Sequence, residues 1–161
     1  RIIELLRDGK NLALVSDAGT PGINDPGNYL IKKILEVLPE TQIIPIPGAN
    51  AAIAALSISG FPTDRFVYMG FPPHKKGRQT FFKEIGETED TIVFYESKHR
   101  ILKALQSLAE VAPERPLVVC RELTKQFETV YRGMTGEILS KLQSDKNATL
   151  GEFVVVIDKL P

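Results

Sequence analysis

The stretch Thr91-Ile92-Val93-Phe94-Tyr95-Glu96-Ser97-Lys98-His99-Arg100-Ile101-Leu102-Lys103-Ala104-Leu105 decides the fold class. Its first five residues are a short run rich in β-branched and aromatic side chains, which reads as a buried strand over 91–95. From Ile101 to Val111 the apolar residues return at helical spacing. Strand, polar turn and helix then recur on both sides. Downstream come strands over 117–120, 128–131 and 153–157 and a helix over 137–142. Upstream come a strand over 66–69 and a helix over 79–85. Strands alternating with helices make this an α/β chain.

The first sixty residues repeat the pattern. Ile2, Ile3, Leu5 and Leu6 form a helical stripe that stops at Gly9. Leu12 to Val15 reads as a buried strand running into the turn Ser16-Asp17-Ala18-Gly19-Thr20-Pro21-Gly22. Asp25-Pro26 looks like a helix cap with proline at the first helical position. Gln42 to Ile46 reads as a second strand, and Ala51 to Ser59 as a helix closed by Gly60. Phe61-Pro62-Thr63-Asp64 breaks the alternation and is the candidate linker. Two α/β lobes are expected, at 1–62 and 63–161. The chain opens on Arg1 inside a helix, which reads as the mark of a fragment.

Composition narrows the function classes. Of 161 residues, 43% are hydrophobic and 25% charged, enough for a packed core. Twenty basic residues balance 20 acidic ones, which excludes a globally basic nucleic-acid binder but not a basic face. No apolar run approaches the ~20 residues of a membrane helix, and no membrane partner is expected. Cys120 alone excludes a disulfide framework, and two histidines, His74 and His99, argue against a metal centre. A reducing compartment, the cytoplasm, fits best.

Several turns carry candidate chemistry. Asp17-Ala18-Gly19-Thr20 follows a strand end, where open α/β sheets bind ligands. Its small residues admit close backbone approach, and Asp17 can accept from ribose hydroxyls or an ammonium group. Pro47-Gly48-Ala49-Asn50-Ala51-Ala52 repeats the arrangement before a helix whose first N–H groups are free. From Arg65 to Lys83 the chain holds Arg65, Lys75, Lys76, Arg78 and Lys83, interleaved with Phe66, Tyr68, Phe71, Phe81 and Phe82, and no acid. Basic and aromatic residues together suit RNA, through phosphate pairing and base stacking. The Pro72-Pro73 loop is expected to be exposed. Lys98, His99 and Arg100 place cations where a helix begins, against its dipole, which points to anion binding. Glu122 and Lys125 follow another strand and read equally as a surface ion pair. Cys120 reads as an inert core residue.

Five of these segments in order resemble one family: Ser-Asp-Ala-Gly-Thr-Pro-Gly-Ile-Asn-Asp-Pro-Gly, Pro-Gly-Ala-Asn-Ala, Gly-Phe-Pro-Pro-His-Lys-Lys, Phe-Tyr-Glu-Ser-Lys-His-Arg and Cys-Arg-Glu-Leu-Thr-Lys. Together they resemble the tetrapyrrole methylase superfamily and, within it, the bacterial 16S ribosomal RNA (cytidine-2′-O)-methyltransferases. The resemblance implies a two-lobed tetrapyrrole-methylase-like fold, with S-adenosylmethionine in the cleft between lobes and no metal. It also implies a homodimer that methylates a cytidine ribose in the 16S rRNA of the small ribosomal subunit. Asp17, Ala18, Gly19 and Thr20 match the first donor loop, and Asn50, Ala51 and Ala52 the second. Tyr95 and Glu96, Arg121, and Gly151 to Phe153 match second-lobe segments facing the cleft. The family's upstream Pro-rich segment has no counterpart here, so the first lobe is expected to be incomplete. Asn50 stands where the family usually has Ser, and Lys98 where it usually has Pro.

Methyl transfer from a sulfonium is an in-line displacement whose rate comes largely from alignment. A ribose hydroxyl becomes a competent nucleophile once a base draws off its proton. Glu96 and Glu122 are the candidate bases, and Lys125 or Arg100 can lower the hydroxyl pKa by charge. Lys75, Lys76, Arg78, Lys98 and Arg100 are the candidate RNA contacts. The alternatives are a sister methyltransferase acting on a small tetrapyrrole, and a non-catalytic ligand-binding or dimerisation module. Every reading requires strand ends, running parallel, to bring these loops together.

Overall fold

The computed structural model describes residues 1–160, apart from the side chain of Lys146. The chain divides into two compact units, Arg1–Asn50 and Ala51–Pro161. The division falls before the third helix, not at the linker read around residue 62. The reason is packing: that helix, α3 (Ala51–Ser59), sets Ala52, Ala55 and Leu56 against sheet residues of the second unit.

The first unit holds two helices, α1 (Ile2–Arg7) and α2 (Asn28–Val37). Helix α2 begins after Gly27, two residues past the cap read at Asp25-Pro26. Gly27 is required there, since a Cβ at that position would lie 2.9 Å from a Leu14 methyl, and its φ is +148°. The strands expected over 12–15 and 42–46 have no regular secondary structure and lie outside any ladder. Their apolar side chains face water, with Val15 81%, Ile44 71% and Ile46 77% exposed. Strand propensity is realised only where a neighbour completes the hydrogen bonds, and no described residue does so here.

The second unit is one five-stranded sheet between helical layers. Its strands are β1 (Phe66–Tyr68), β2 (Thr91–Ser97), β3 (Leu117–Arg121), β4 (Thr129–Gly133) and β5 (Glu152–Ile157). Their order is β1-β2-β5-β3-β4. Only β1 and β2 are parallel; the other pairings are antiparallel. This corrects the parallel arrangement that alternation suggested. The segment between Arg121 and Thr129 is too short for a parallel crossover, which needs a dozen or more residues, so β4 folds straight back on β3.

Alternation along the strands sorts the core. Ile92, Phe94, Leu117, Val119, Phe153, Val155 and Ile157 face one side, against α4 (Arg78–Glu87), α5 (Ile101–Val111) and α6 (Thr135–Ser144). Val93, Val118, Cys120, Val154 and Val156 face the other, against α3. Removing a fully buried Phe94 from water-free packing would cost about 3 kcal/mol or more. Burial on both faces explains why β2, β3 and β5 are nearly continuous apolar runs.

Candidate functional site

In the first unit the two expected donor loops meet. The Thr20 hydroxyl donates to the Ala49 carbonyl at 3.2 Å. Gly19 adopts a left-handed φ of +72°, and a Cβ there would face the Ala49 oxygen at 3.7 Å. Gly48 lies against the Thr20 hydroxyl in turn. Ser16 closes the turn by donating to the Ala18 carbonyl at 3.3 Å. Asp17, Ala18 and Gly19 stay exposed, so a carboxylate and open main chain stand side by side. Asn50 is half-buried at the end of the second loop.

In the second unit Ala51 and Ala52 start α3, and the Ala52 N–H donates to the Tyr95 hydroxyl at 3.1 Å. This satisfies one of the donors that any helix leaves open at its N-terminus. The Tyr95 ring packs edge-on against Tyr68 at 5.5 Å and against Phe71 at 5.3 Å. Tyr68 is a contact that sequence reasoning placed only in the basic-aromatic stretch.

The register gathers three second-unit segments at one end of the sheet. Phe153 pairs with Glu96 on one side and Arg121 on the other. The Phe153 side chain points into the helical core, on the same face of the sheet as Glu96. Arg121 is tied down by its Nε, which donates to the Leu150 carbonyl.

Glu96 follows Tyr95 by one residue and therefore faces the opposite side of the sheet. Its carboxylate is wholly enclosed. Oε2 lies 3.3 Å from Arg78 Nη1, and Oε1 lies 2.9 Å from Arg100 Nε. Oε1 also accepts from the Ser97 N–H at 2.7 Å. Arg100 donates onward to the Pro72 carbonyl at 3.2 Å. Arg78 sits over the Phe82 ring at 5.0 Å. Of the five expected RNA contacts, Arg78 and Arg100 are thus drawn inward to a carboxylate, while Lys75, Lys76 and Lys98 are exposed. Pro72 is buried, contrary to the expected open Pro-Pro loop, because Arg100 pins its carbonyl. Lys75 and Lys76 border a groove of about 640 Å³ that Lys103 and Ser107 of α5 also line.

The loop after β3 is the strained part of the molecule. Glu122 and Thr124 have φ of +48° and +66°, a region that side chains avoid. Lys125 Nζ lies 2.7 Å from Glu152 Oε2 and 3.2 Å from Glu122 Oε1. Glu122 Oε1 also accepts the Glu152 N–H at 2.7 Å. That main-chain bond, with Lys125 beside it, holds the Glu122 carboxyl below the usual range. The two carboxylates push the Lys125 ammonium up, the hydrogen bond it donates to Glu152 contributing most. The result is an ammonium held between two carboxylates on this loop, a group with one negative charge in excess. Sequence reasoning found Glu122 and Lys125 and placed Glu152 only within the segment 151–153, without its pairing to Lys125, 27 residues away.

Two further arginines escaped the sequence reading. Arg115 is buried and donates to the carbonyls of Ile85, Thr88, Asp90 and Asp158 at 2.7–3.0 Å. Arg132 donates to the Ile58 and Ser59 carbonyls at the end of α3. Neither has a local sequence signal, since each partner set is distant along the chain. Among the described residues no group of three His, Cys, Asp or Glu side chains could hold a metal ion. No described helix is long and apolar enough to cross a membrane.

Comparison with known proteins bears on this geometry. The chain is 48% identical over 160 residues to the ribosomal RNA small subunit methyltransferase I of Buchnera aphidicola subsp. Schizaphis graminum, covering 98% of this chain and 55% of that protein. It is 45% identical over 159 residues to the protein of the same name from Escherichia coli O157:H7, again covering 98% and 55%. The chain therefore spans about half the length of these relatives. Among solved structures it is similar to the methyltransferase CobJ, with a TM-score of 0.67 at 21% identity over 98% of this chain and 68% of the other. A uroporphyrin-III C-methyltransferase from Thermus thermophilus, complexed with S-adenosyl homocysteine, matches with a TM-score of 0.56 at 14% identity, over 86% and 62%. These likenesses establish the fold. The family model described as Tetrapyrrole (Corrin/Porphyrin) Methylases matches residues 1–139, and the chain belongs to that family.

Proposed function

We propose that this chain serves an S-adenosylmethionine-dependent methyltransferase acting on the ribose 2′-hydroxyl of a cytidine in 16S ribosomal RNA. The observation that carries the reading is the Thr20–Ala49 hydrogen bond. It joins the two loops assigned to the donor in a chain 45–48% identical to proteins named ribosomal RNA small subunit methyltransferase I. The residues fit such a donor. Gly19 and the neighbouring alanines leave main chain accessible, and Asp17 offers an exposed acceptor for ribose hydroxyls or an ammonium group. Asn50, Ala51, Ala52 and Tyr95 complete the proposed donor contacts, with Arg121 and the Phe153 main chain.

When bound, the donor supplies a methyl group already activated by its sulfonium charge, so the chemistry needs no metal. The chain's own task is to position the 2′-oxygen and manage its proton. Lys125 is proposed to stabilise the oxygen as it loses that proton. Glu122 and Glu152 hold Lys125 in place and keep it charged. Because Glu122 sits below the usual carboxylate range, it is a weak base and acts first by orienting Lys125. Lys75, Lys76 and Lys98 are proposed to meet RNA phosphates. A homodimer in the cytoplasm completes the reading.

The test is methyl transfer from labelled S-adenosylmethionine to small-subunit particles by the intact protein. Label on a ribose supports the reading; label on a base, on protein, or on an added porphyrinogen refutes it. Asp17→Ala should weaken donor binding about tenfold by calorimetry, as loss of a charged hydrogen bond does. Unchanged affinity would remove Asp17 from the site.

A further inference from the structure

Glu96 is a candidate general base by its sequence position, yet its surroundings give it another task. The Tyr95 side chain goes to the α3 face with Ala52, while Glu96 goes to the α4–α5 face. Three donors already occupy its two oxygens: the Arg78 and Arg100 guanidiniums and the Ser97 N–H. A carboxylate so enclosed presents no surface to solvent.

The arginines connect this carboxylate to the basic loop at both ends. Arg100 Nη1 holds the Pro72 carbonyl at 3.2 Å, near the start of the loop 71–77. Arg78 begins α4 and so fixes the loop's exit. Between the two anchors stand His74, Lys75 and Lys76, all exposed and all bordering the groove beside α5. Arg78 is 9% exposed, and its Nε and Nη2 have no hydrogen-bond partner. Among the described residues its guanidinium is held by the Glu96 ion pair and the Phe82 ring, and its main-chain N–H donates to the Lys75 carbonyl. Two guanidiniums on one carboxylate also leave a net positive charge beneath the lysines, of the sign that attracts phosphate.

We propose that Glu96 is a positioning residue that, through Arg78 and Arg100, locks the 71–77 loop and presents Lys75 and Lys76 to the phosphates of the RNA substrate. The RNA half of this inference rests on the function proposed above; the loop half does not.

The experiment compares the intact protein with Glu96→Gln and, independently, Arg100→Lys. Glu96→Gln keeps the shape and removes the charge. Arg100→Lys keeps the charge and removes the fork that reaches Pro72 and Ser97, so it carries the test if the first variant fails to fold. Hydrogen exchange at Arg78, whose N–H donates to the Lys75 carbonyl at 3.3 Å, should quicken about tenfold or more in both variants, with β3 and β5 unchanged. Binding to small-subunit RNA should weaken about tenfold, while S-adenosylmethionine affinity stays within twofold. Adding Lys75→Ala and Lys76→Ala to Glu96→Gln should weaken RNA binding little further, because all three act through one loop. Unchanged loop exchange in both variants overturns the proposal. So does loss of the acid limb of the pH–rate profile in Glu96→Gln with RNA affinity intact, the signature of a base. If the loop loosens while even the unaltered protein binds no RNA, the loop half stands and the functional reading falls.

Discussion

Single residues in this protein are governed by what burial does to their polar atoms. Arg115 answers four carbonyls from three segments, including the end of α4 where helix carbonyls are left open. Burial lowers its guanidinium pKa, and Asp158 counters that. Arg115→Ala strands those carbonyls without donors, and urea unfolding should show a loss of about 3 kcal/mol or more. Cys120 lies in the α3-side core, where burial pushes its thiol to about 11. At pH 8 only about one molecule in a thousand then carries the thiolate. Ellman's reagent should leave the native protein untouched and label it once unfolded. Glu122 supplies a pH signature. Its folded pKa is depressed, so its contribution is present above the unfolded carboxyl value of about 4.3 and fades as pH falls through the folded one. Glu122→Gln should therefore be less stable than the native protein near neutrality. In thermal unfolding the difference should shrink as pH falls below about 4.3 and vanish only below the depressed folded value.

Elements are joined here by contacts that local pattern does not encode. Helix α3 is held at its start by the Tyr95 hydroxyl and at its end by Arg132 from β4. The strained loop after β3 depends on Gly151, whose φ is +104° and where a Cβ would lie 2.5–2.7 Å from Glu122 side-chain atoms. Gly151→Ala should displace Glu122 and release Lys125, costing about 2 kcal/mol or more in stability. Loss of methyl transfer should accompany it if Lys125 attends the 2′-oxygen. Much at this scale was legible in sequence. Helix α5 falls at 101–111 as its periodicity requires, and β2, β3 and β5 match their apolar runs within two residues. The segments around Leu12 and Ile44 failed as strands because pairing needs a neighbour that composition does not supply.

For the whole molecule, the two units differ sharply in what they bury. Both hydrophobic clusters and all five strands lie in Ala51–Pro161. Among the described residues of Arg1–Asn50, only Ile34 is buried. Hydrogen exchange should follow that split, with amides of β2, β3 and β5 opening only on global unfolding. Amides over 10–27 and 41–50 should exchange orders of magnitude sooner. Equal protection across both would mean that the first unit gains stability from a source other than its own core.

The amino-acid order by itself determined the α/β class, most of the helices and the five motifs that mark the family, because periodicity and turn chemistry are local properties. Only the tertiary structure decided that β5 slots between β2 and β3, that Thr20 reaches Ala49, and that Glu96 turns away from Tyr95 toward two arginines. Those outcomes depend on ladder register and on polar groups brought together from 4 to 29 positions apart, and such pairings are chosen by packing and by the cost of leaving a buried charge alone.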